Sequence, residues 1–251
     1  MGRVSKAVKQ LAWAALAAGA CAQALAGGET LMREGAPGAE IPPLADTLQA
    51  LHLRGFGATA LFARTLPEGL QDLNLSANDL PALPEGFVPK GVRRLWLADN
   101  RLAALPADAE QWKSLVYLNL DRNRLETLPP LAELPLRWLR VYGNALETLP
   151  PLPEHLERLY AADNRLRAAP PLPGALRQIT LAGNPIESLP EGWGAGLEML
   201  NLSRCPLKAL PRDLTPWRRL KVLNLSLCPL PEAERDRLEG ALDLDFTTLI
   251  F

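Results

Sequence analysis

The strongest constraint on the fold is a leucine pattern that recurs through most of the chain. Aligned on the skeleton L-x-x-L-x-L, the sequence contains nine units whose starts lie 20 to 23 residues apart. A unit this short cannot bury its own leucines and is stable only against its neighbours. The spacing therefore predicts a solenoid of stacked units, which begin at Leu48, Leu70, Val92, Leu115, Leu136, Leu156, Leu176, Leu197 and Leu220.

The L-x-L part of each unit predicts a short β-strand. Successive side chains of a strand point to opposite faces, so the two leucines point inward and the residue between them points outward. Neighbouring units repeat the same direction, which predicts parallel strands about 4.8 Å apart. The array should therefore form one continuous parallel sheet.

The ninth position of the units predicts a ladder of buried polar side chains. Asparagine carries two donors and an acceptor, so it can satisfy backbone groups where each strand turns inward. Cysteine fits the same slot as a small, weak donor, and the first unit, with Phe56 there, is interpreted as a degenerate capping unit. The predicted ladder consists of Asn78, Asn100, Asn123, Asn144, Asn164, Asn184, Cys205 and Cys228.

The second half of each unit is rich in Leu-Pro, as in LETLPPLAELP and LETLPPLPEH. Proline fixes φ and lacks an N–H, so these segments should run as extended, polyproline-like backbone. The longer units contain PADAEQWKS and PRDLTPWRR, for which a single helical turn is predicted.

The full pattern resembles the leucine-rich repeats of the short-repeat bacterial subclass. This subclass includes type-III-secreted effectors and the repeat domains of the invasion-plasmid-antigen ubiquitin ligases. The units beginning at Leu136, Leu156 and Leu176 match best, each closing with N-x-L/I-x-x-L/A-P. The resemblance covers Leu48 to Pro231 and implies an α/β solenoid that is predominantly β. Its expected form is a right-handed horseshoe with a parallel sheet on the concave face and polyproline-like segments on the convex side.

The sequence does not indicate an enzyme, and no cofactor or metal is expected. The two histidines are far apart in the array, and no glycine-rich phosphate loop or zinc-like cysteine spacing is present. The ubiquitin ligases whose repeat domains this pattern resembles carry a Cys-x-Asp motif in a separate catalytic domain. The cysteines here read Cys21-Ala-Gln, Cys205-Pro-Leu and Cys228-Pro-Leu, so ligase activity is not expected. A net charge of −1 argues against nucleic acid as a partner.

The outward-facing positions of the units, the third, fifth, seventh and eighth, predict a recognition surface on the concave face. In four central units these positions carry all three tyrosines and two of the six tryptophans of the chain, interleaved with arginine. These residue types are enriched in interface hot spots. Such a patch suits a protein surface with acidic groups, or a glycan; the alternative is that the rings only cover the sheet. The candidate residues are Arg94, Trp96, Tyr117, Trp138, Arg140, Tyr142, Arg158 and Tyr160.

Residues 1–26 are interpreted as a bacterial export signal. Three cations precede the apolar run Leu11 to Ala22, which is too short for a transmembrane span, and Ala24-Leu25-Ala26 offers a cleavage site. A buried N-terminal helix is the alternative. Ala18-Gly19-Ala20-Cys21 partly resembles a lipobox, with alanine where leucine is usual, so lipidation of Cys21 stays open beside simple cleavage.

The predicted organisation is a signal peptide (1–26), an N-terminal linker or cap (27–47), the solenoid (48–230) and a C-terminal cap (231–251) with a short helix and a strand. The predicted function is that of an exported binding protein, whether periplasmic, cell-surface or secreted. A lipid-anchored or periplasmic structural envelope protein and a host-directed effector-like scaffold are the alternatives. Cys205 and Cys228, in adjacent units, could form a disulfide or remain buried thiols.

Overall fold

A computed structural model describes residues 29–36, 39–41 and 43–251 of the chain. The predicted signal peptide and Cys21 lie outside these residues. The described residues form one sheet of eleven parallel strands in chain order, so each strand pairs with the one before and after it. No helix in this part of the chain is long and apolar enough to cross a bilayer.

Nine of the strands come from the nine leucine units. In eight units the strand covers the third to fifth residues, and in the first it covers the first to seventh. In most of them the middle residue is buried and the flanking residues are half-buried, as the alternation predicts. The strands are β1 (Glu29–Glu34), β2 (Leu48–Arg54), β3 (Asp72–Asn74), β4 (Arg94–Trp96), β5 (Tyr117–Asn119), β6 (Trp138–Arg140), β7 (Arg158–Tyr160), β8 (Gln178–Thr180), β9 (Met199–Asn201), β10 (Val222–Asn224) and β11 (Thr248–Ile250).

The inward leucines of all units form one continuous core that runs from Ile41 to Leu242. Within a unit, both leucines of the L-x-L motif are fully buried, as for Leu95 and Leu97. Because each unit packs on the next, the buried side chains are distributed along the whole array and are not concentrated in one central core. The predicted solenoid, mostly β with few helices, is confirmed.

The side opposite the sheet has little regular structure, in keeping with its prolines. The two predicted helical turns are confirmed as short 3₁₀ helices at Ala107–Gln111 and Thr215–Trp217. Trp217 is buried and its indole N–H donates to the carbonyl of Trp193 at 2.8 Å. The Trp193 indole in turn donates to the carbonyl of Pro170 at 2.8 Å, so the tryptophans link successive units.

The ends of the array carry elements of their own. Strand β1 extends the sheet before the first unit, although its sequence ETLMRE lacks the leucine motif. A short helix, α1 (Ala58–Phe62), replaces the extended segment of the first unit. Helix α2 (Glu232–Ala241) buries Leu238, and β11 then pairs with β10. Both ends of the leucine core are thereby covered.

The eighth residue of every unit has a left-handed backbone. The angle φ is 52° to 61° at the six non-glycine residues and 66° to 78° at the three glycines. This conformation reverses the strand direction and sends the ninth residue into the interior, but it strains any residue with a Cβ. The residues are Gly55, Ala77, Asp99, Arg122, Gly143, Asp163, Gly183, Arg204 and Leu227.

The asparagines of the ninth position bridge adjacent units. Asn123 donates to the carbonyl of Leu97 in the preceding unit (2.9 Å) and of Leu120 in its own unit (3.0 Å), and accepts from the N–H of Leu102 (3.0 Å). Asn100, Asn144 and Asn164 repeat this pattern. Each sixth-position carbonyl along this run thus accepts from two asparagines.

Cys205 and Cys228 continue the ladder as buried free thiols. Their Sγ atoms donate to the carbonyls of Leu181 (3.3 Å) and Leu202 (3.1 Å), each in the preceding unit. Burial raises the pKa of the Cys205 thiol to about 11. Each cysteine therefore supplies one weak donor where asparagine supplies two donors and an acceptor.

Candidate binding site

Aromatic side chains of strands β2, β4, β5 and β6 form a row of neighbouring rings on the outward face of the sheet. We call His52, Trp96, Tyr117 and Trp138 the ring ladder. Successive ring centroids lie 6.0, 5.1 and 5.8 Å apart, with the ring planes tilted to one another. These separations are typical of attractive aromatic pairs. The ladder forms a continuous half-exposed surface across the strands.

The register of the sheet brings these side chains together. Tyr117 of β5 is paired with Arg94 on one side and with Trp138 on the other, and Trp138 is paired with Arg158. All four are third residues of their units, so they point to the same face on adjacent strands. The fifth residues form a second row, in which Arg140 pairs with Tyr160.

Two arginines lie over aromatic rings. The guanidinium of Arg158 lies 4.1 Å from the Trp138 ring centroid, and that of Arg140 lies 4.9 Å from the Tyr160 centroid. Both are cation–π contacts, which stabilise partly desolvated cations. The aromatic surface is therefore extended through β7 by stacked side chains. We call the ring ladder together with Arg94, Arg140, Arg158 and Tyr160 the concave patch.

Arg94 and Arg140 are each held by a buried carboxylate. Arg94 donates from Nε and NH2 to the two oxygens of Asp72, both at 2.5 Å, and the Asp72 side chain is only 2% exposed. Arg140 donates to Asp121 at 2.8 and 2.6 Å, and Asp121 also accepts the N–H of Tyr142 at 2.9 Å. Burial acts to lower the pKa of Arg140, but Asp121 outweighs it and raises that pKa.

Tyr142 interacts with charged side chains of neighbouring units. It is a seventh residue, beyond the end of its strand, and contacts Asp163, whose negative charge raises the pKa of the Tyr142 hydroxyl. Asp163 also pairs with Arg204 at 2.9 Å. Of the eight residues predicted from the sequence, seven lie in the concave patch and Tyr142 belongs to this flanking network of charges.

His52 was not among the predicted site residues, yet it forms the first ring of the ladder. Burial lowers its pKa below 6.5, an effect that neighbouring Asp72 opposes. Its Nε2 atom is buried and has no hydrogen-bond partner among the described residues. The side chain also borders a cavity of about 360 Å³ at the N-terminal end of the sheet, which Met32, Arg54 and Ser76 help to line.

Asparagines at the fifth position cap strands β3, β5, β9 and β10. Each accepts a hydrogen bond at 2.9 Å from the N–H two residues further on. Their carboxamide oxygens are therefore committed to the backbone, which the sequence analysis did not anticipate. These residues are Asn74, Asn119, Asn201 and Asn224.

The carboxylates that hold the arginines were also missed, although one signal was present. Asp72 and Arg94 are both third residues of adjacent units, which makes them direct cross-strand neighbours. Within the described ranges, no group of three or more His, Cys, Asp or Glu side chains is placed to hold a metal ion. The arrangement of half-exposed rings and cations can contact a partner surface.

Solved structures of bacterial leucine-rich effectors resemble the chain. YopM from Yersinia enterocolitica superposes with a TM-score of 0.62 at 32% identity over 77% of this chain and 41% of that chain. A Shigella effector LRR domain gives 0.58 at 28% identity, over 67% of this chain and 74% of the domain. YopM from Yersinia pestis gives 0.59 at 30%, over 74% and 58%.

The chain spans less than half of the Yersinia enterocolitica protein. The leucine-rich-repeat domain of APL1B, with a TM-score of 0.64 at 23% identity over 92% of this chain and 68% of that chain, shares the fold. No protein-family model and no curated protein sequence matches the chain. The strand order, the ninth-position ladder and these neighbours together identify the chain as a bacterial leucine-rich-repeat protein similar to the effector repeat domains.

Proposed function

We propose that the chain is an exported bacterial binding protein that recognises a protein partner through the concave patch. The observation that carries the proposal is the ring ladder, because three large aromatic side chains remain half-exposed on the open face of the sheet. Aromatic rings in such positions bury a large area when a partner covers them, and they dominate many interfaces.

The distribution of the rings favours recognition over a covering role. A ring that only shields the sheet would be equally useful in every unit. Instead, the later strands carry Gln178 and Thr180 in β8 and Asn201 in β9 at the corresponding outward positions. The aromatic residues are confined to one part of an otherwise regular array, as expected for a binding epitope.

The proposed export rests on residues 1–26, whose charge and apolar pattern is typical of a signal peptide. A host-directed effector is the second candidate, and the similarity to YopM and to the Shigella effector repeat domain favours it. Fractionation of the producing cells discriminates the candidates. Cleavage near Gly27 and appearance in the periplasm or medium supports export by the signal peptide, whereas an uncleaved chain released only through a secretion apparatus supports the effector.

Partitioning between detergent and aqueous phases tests the lipid-anchored alternative. If Cys21 is acylated, the protein partitions into the detergent phase and a Cys21→Ser variant moves to the aqueous phase. If both forms are aqueous, lipid anchoring is refuted and simple cleavage remains.

The binding site is tested by capture of envelope and extracellular proteins on the immobilised mature chain. The test variant carries Trp96→Ala, Trp138→Ala and Tyr160→Ala. The matched control carries Gln178→Ala and Thr180→Ala, which truncate outward side chains of the neighbouring strand β8. A protein retained by the parent and the control, and lost by the folded test variant, supports the proposal. A protein retained equally by all three refutes the concave patch as the site.

A further inference from the structure

We infer that the concave patch binds a largely apolar protein segment with a single acidic residue, whose carboxylate lies against Arg158. The inference rests on the proposed function and specifies the chemistry of its partner. It differs from the sequence-based expectation of an acidic partner, because the structure shows how the charges of the patch are balanced.

Arg94 does not offer its charge to a partner. One edge of its guanidinium is engaged in a bidentate pair with Asp72, whose carboxylate is almost fully buried. An incoming carboxylate would meet a cation that is already neutralised, with Asp72 immediately behind it. Bringing a second negative charge to this pair costs desolvation without a matching gain.

Arg140 is balanced in the same way by Asp121, and only 24% of its side chain is exposed. Its guanidinium also lies over the Tyr160 ring, so it contributes a neutralised cation to the patch. Asp121 thus acts as a positioning residue that keeps Arg140 against the ring. The two pairs make this part of the patch apolar in character although it contains four charged groups.

Arg158 is different, since no carboxylate of the described residues lies within ion-pair distance of it. Its contact is with the Trp138 ring, and the nearby Glu157 is paired with Arg137 at 2.8 Å. A cation whose apolar side is stacked and whose charge is uncompensated is suited to receive one anionic group from a partner. The patch therefore has a single position for a negative charge at one end of the ring ladder.

A glycan fits the geometry less well than a protein segment. Sugar rings need open aromatic faces, but a face of Trp138 is covered by Arg158 and a face of Tyr160 by Arg140. The amide oxygens of Asn74 and Asn119, which could fix sugar hydroxyls, accept backbone N–H groups instead. Aliphatic and proline side chains need only contact area, which the tilted rings supply.

The test uses a phage-displayed library of random dodecapeptides, selected on the parent chain. Peptides are then screened against Trp138→Ala, with Gln178→Ala as the control and circular dichroism as the check of folding. Binding that Trp138→Ala abolishes and Gln178→Ala preserves defines the patch-dependent peptides. We expect these to be rich in aliphatic residues and proline and to carry one acidic residue.

The contribution of charge is measured with synthetic copies of the selected peptides. Arg158→Gln should weaken binding by roughly fivefold and remove most of its dependence on salt, because one exposed ion pair is lost. Asp121→Asn leaves Arg140 without its anion and should raise affinity for peptides with a second acidic residue. Both results together support a patch with one uncompensated cation.

The outcomes separate this inference from the proposed function. Patch-dependent peptides with three or more acidic residues and steep salt dependence overturn the inference but leave the binding site intact. Binding to a glycan array that Trp138→Ala abolishes, with no patch-dependent peptide, also overturns the inference. If no peptide and no glycan binding depends on Trp138, the proposed function itself is refuted.

Discussion

Replacement of Asn123 by alanine tests the ladder that holds adjacent units together. The carboxamide of Asn123 makes its three shortest hydrogen bonds to backbone groups of two units: the carbonyls of Leu97 and Leu120, and the N–H of Leu102. Asn123→Ala removes all of these bonds at a position that is 9% exposed. The substitution affects the three backbone groups differently.

Two of the three groups keep a second hydrogen-bond partner. The Leu97 carbonyl keeps the donor of Asn100 and the Leu120 carbonyl keeps that of Asn144, so each loses one of two bonds. The N–H of Leu102 loses the one acceptor seen for it among the described residues. One orphaned buried donor and two weakened acceptors give a loss of about 3 kcal/mol in the free energy of unfolding.

The loss is measured by equilibrium urea unfolding, followed by tryptophan fluorescence and circular dichroism. Asn119→Ala is the matched control, because it removes an asparagine of the same unit that makes one bond at a strand end, and it should cost less than about 1 kcal/mol. Asn123→Cys, which imitates the residue at position 205, should fall between the two. If Asn123→Ala and Asn119→Ala agree within about 0.5 kcal/mol, the ladder does not carry the energy assigned to it.

Four further changes have defined outcomes. Gly183→Ala should destabilise the chain by about 1 to 2 kcal/mol in urea unfolding, because φ is +66° there and a Cβ would clash with the Asp163 carboxylate. Leu227→Gly should raise the unfolding free energy by up to about 1 kcal/mol, since Leu227 has a φ of 61° and is 80% exposed. Burial lowers the pKa of His52 below its ordinary value of 6.5. The stability that neutral His52 contributes is therefore fully present above pH 6.5 and is lost as the pH falls through the folded pKa. Cys205, with its pKa raised to about 11, should react with a thiol reagent at pH 8 only after unfolding.

Two of these changes have a control in the same chain. Gly174→Ala should be close to neutral, because its φ is not left-handed and no atom lies within 4 Å of the added Cβ. A His52→Asn variant should lose the pH-dependent step and His155→Gln should retain it; persistence of the step in His52→Asn would contradict the assignment. Rapid labelling of Cys205 in the folded chain, or no gain from Leu227→Gly, would likewise refute the corresponding reasoning.

The interior of the fold was predictable because each structural role recurs at a fixed position. A leucine at the fourth and sixth positions and an asparagine at the ninth have the same environment in unit after unit, as Leu95, Leu97 and Asn100 illustrate. The period therefore defines strand, core and ladder together. The ends lack this redundancy. Nothing periodic marks β1 or α1, whose formation depends on covering the exposed side of the first unit.

The sequence predicted which face of the sheet carries the candidate site, but it did not predict the contacts between the side chains there. Counting positions placed the aromatic residues on the open side of the sheet. It did not show that Asp72 and Asp121 neutralise Arg94 and Arg140, because such pairs depend on side-chain reach between neighbouring units. Position counting also did not show that Tyr142, a seventh residue beyond the end of its strand, contacts Asp163 of the next unit.

The sharing of sixth-position carbonyls has a consequence for how such chains change length over evolution. Each carbonyl from Leu75 to Ala161 accepts from the asparagine of its own unit and from that of the next. Duplication or loss of one whole interior unit would leave every such group partnered, so a gene can lengthen or shorten the array in single steps. The ion pair of Asp163 and Arg204 reaches across the unit that contains Gly183. Insertion of a unit there would separate Asp163 from Arg204 and break the ion pair, so the pair depends on the present number of units.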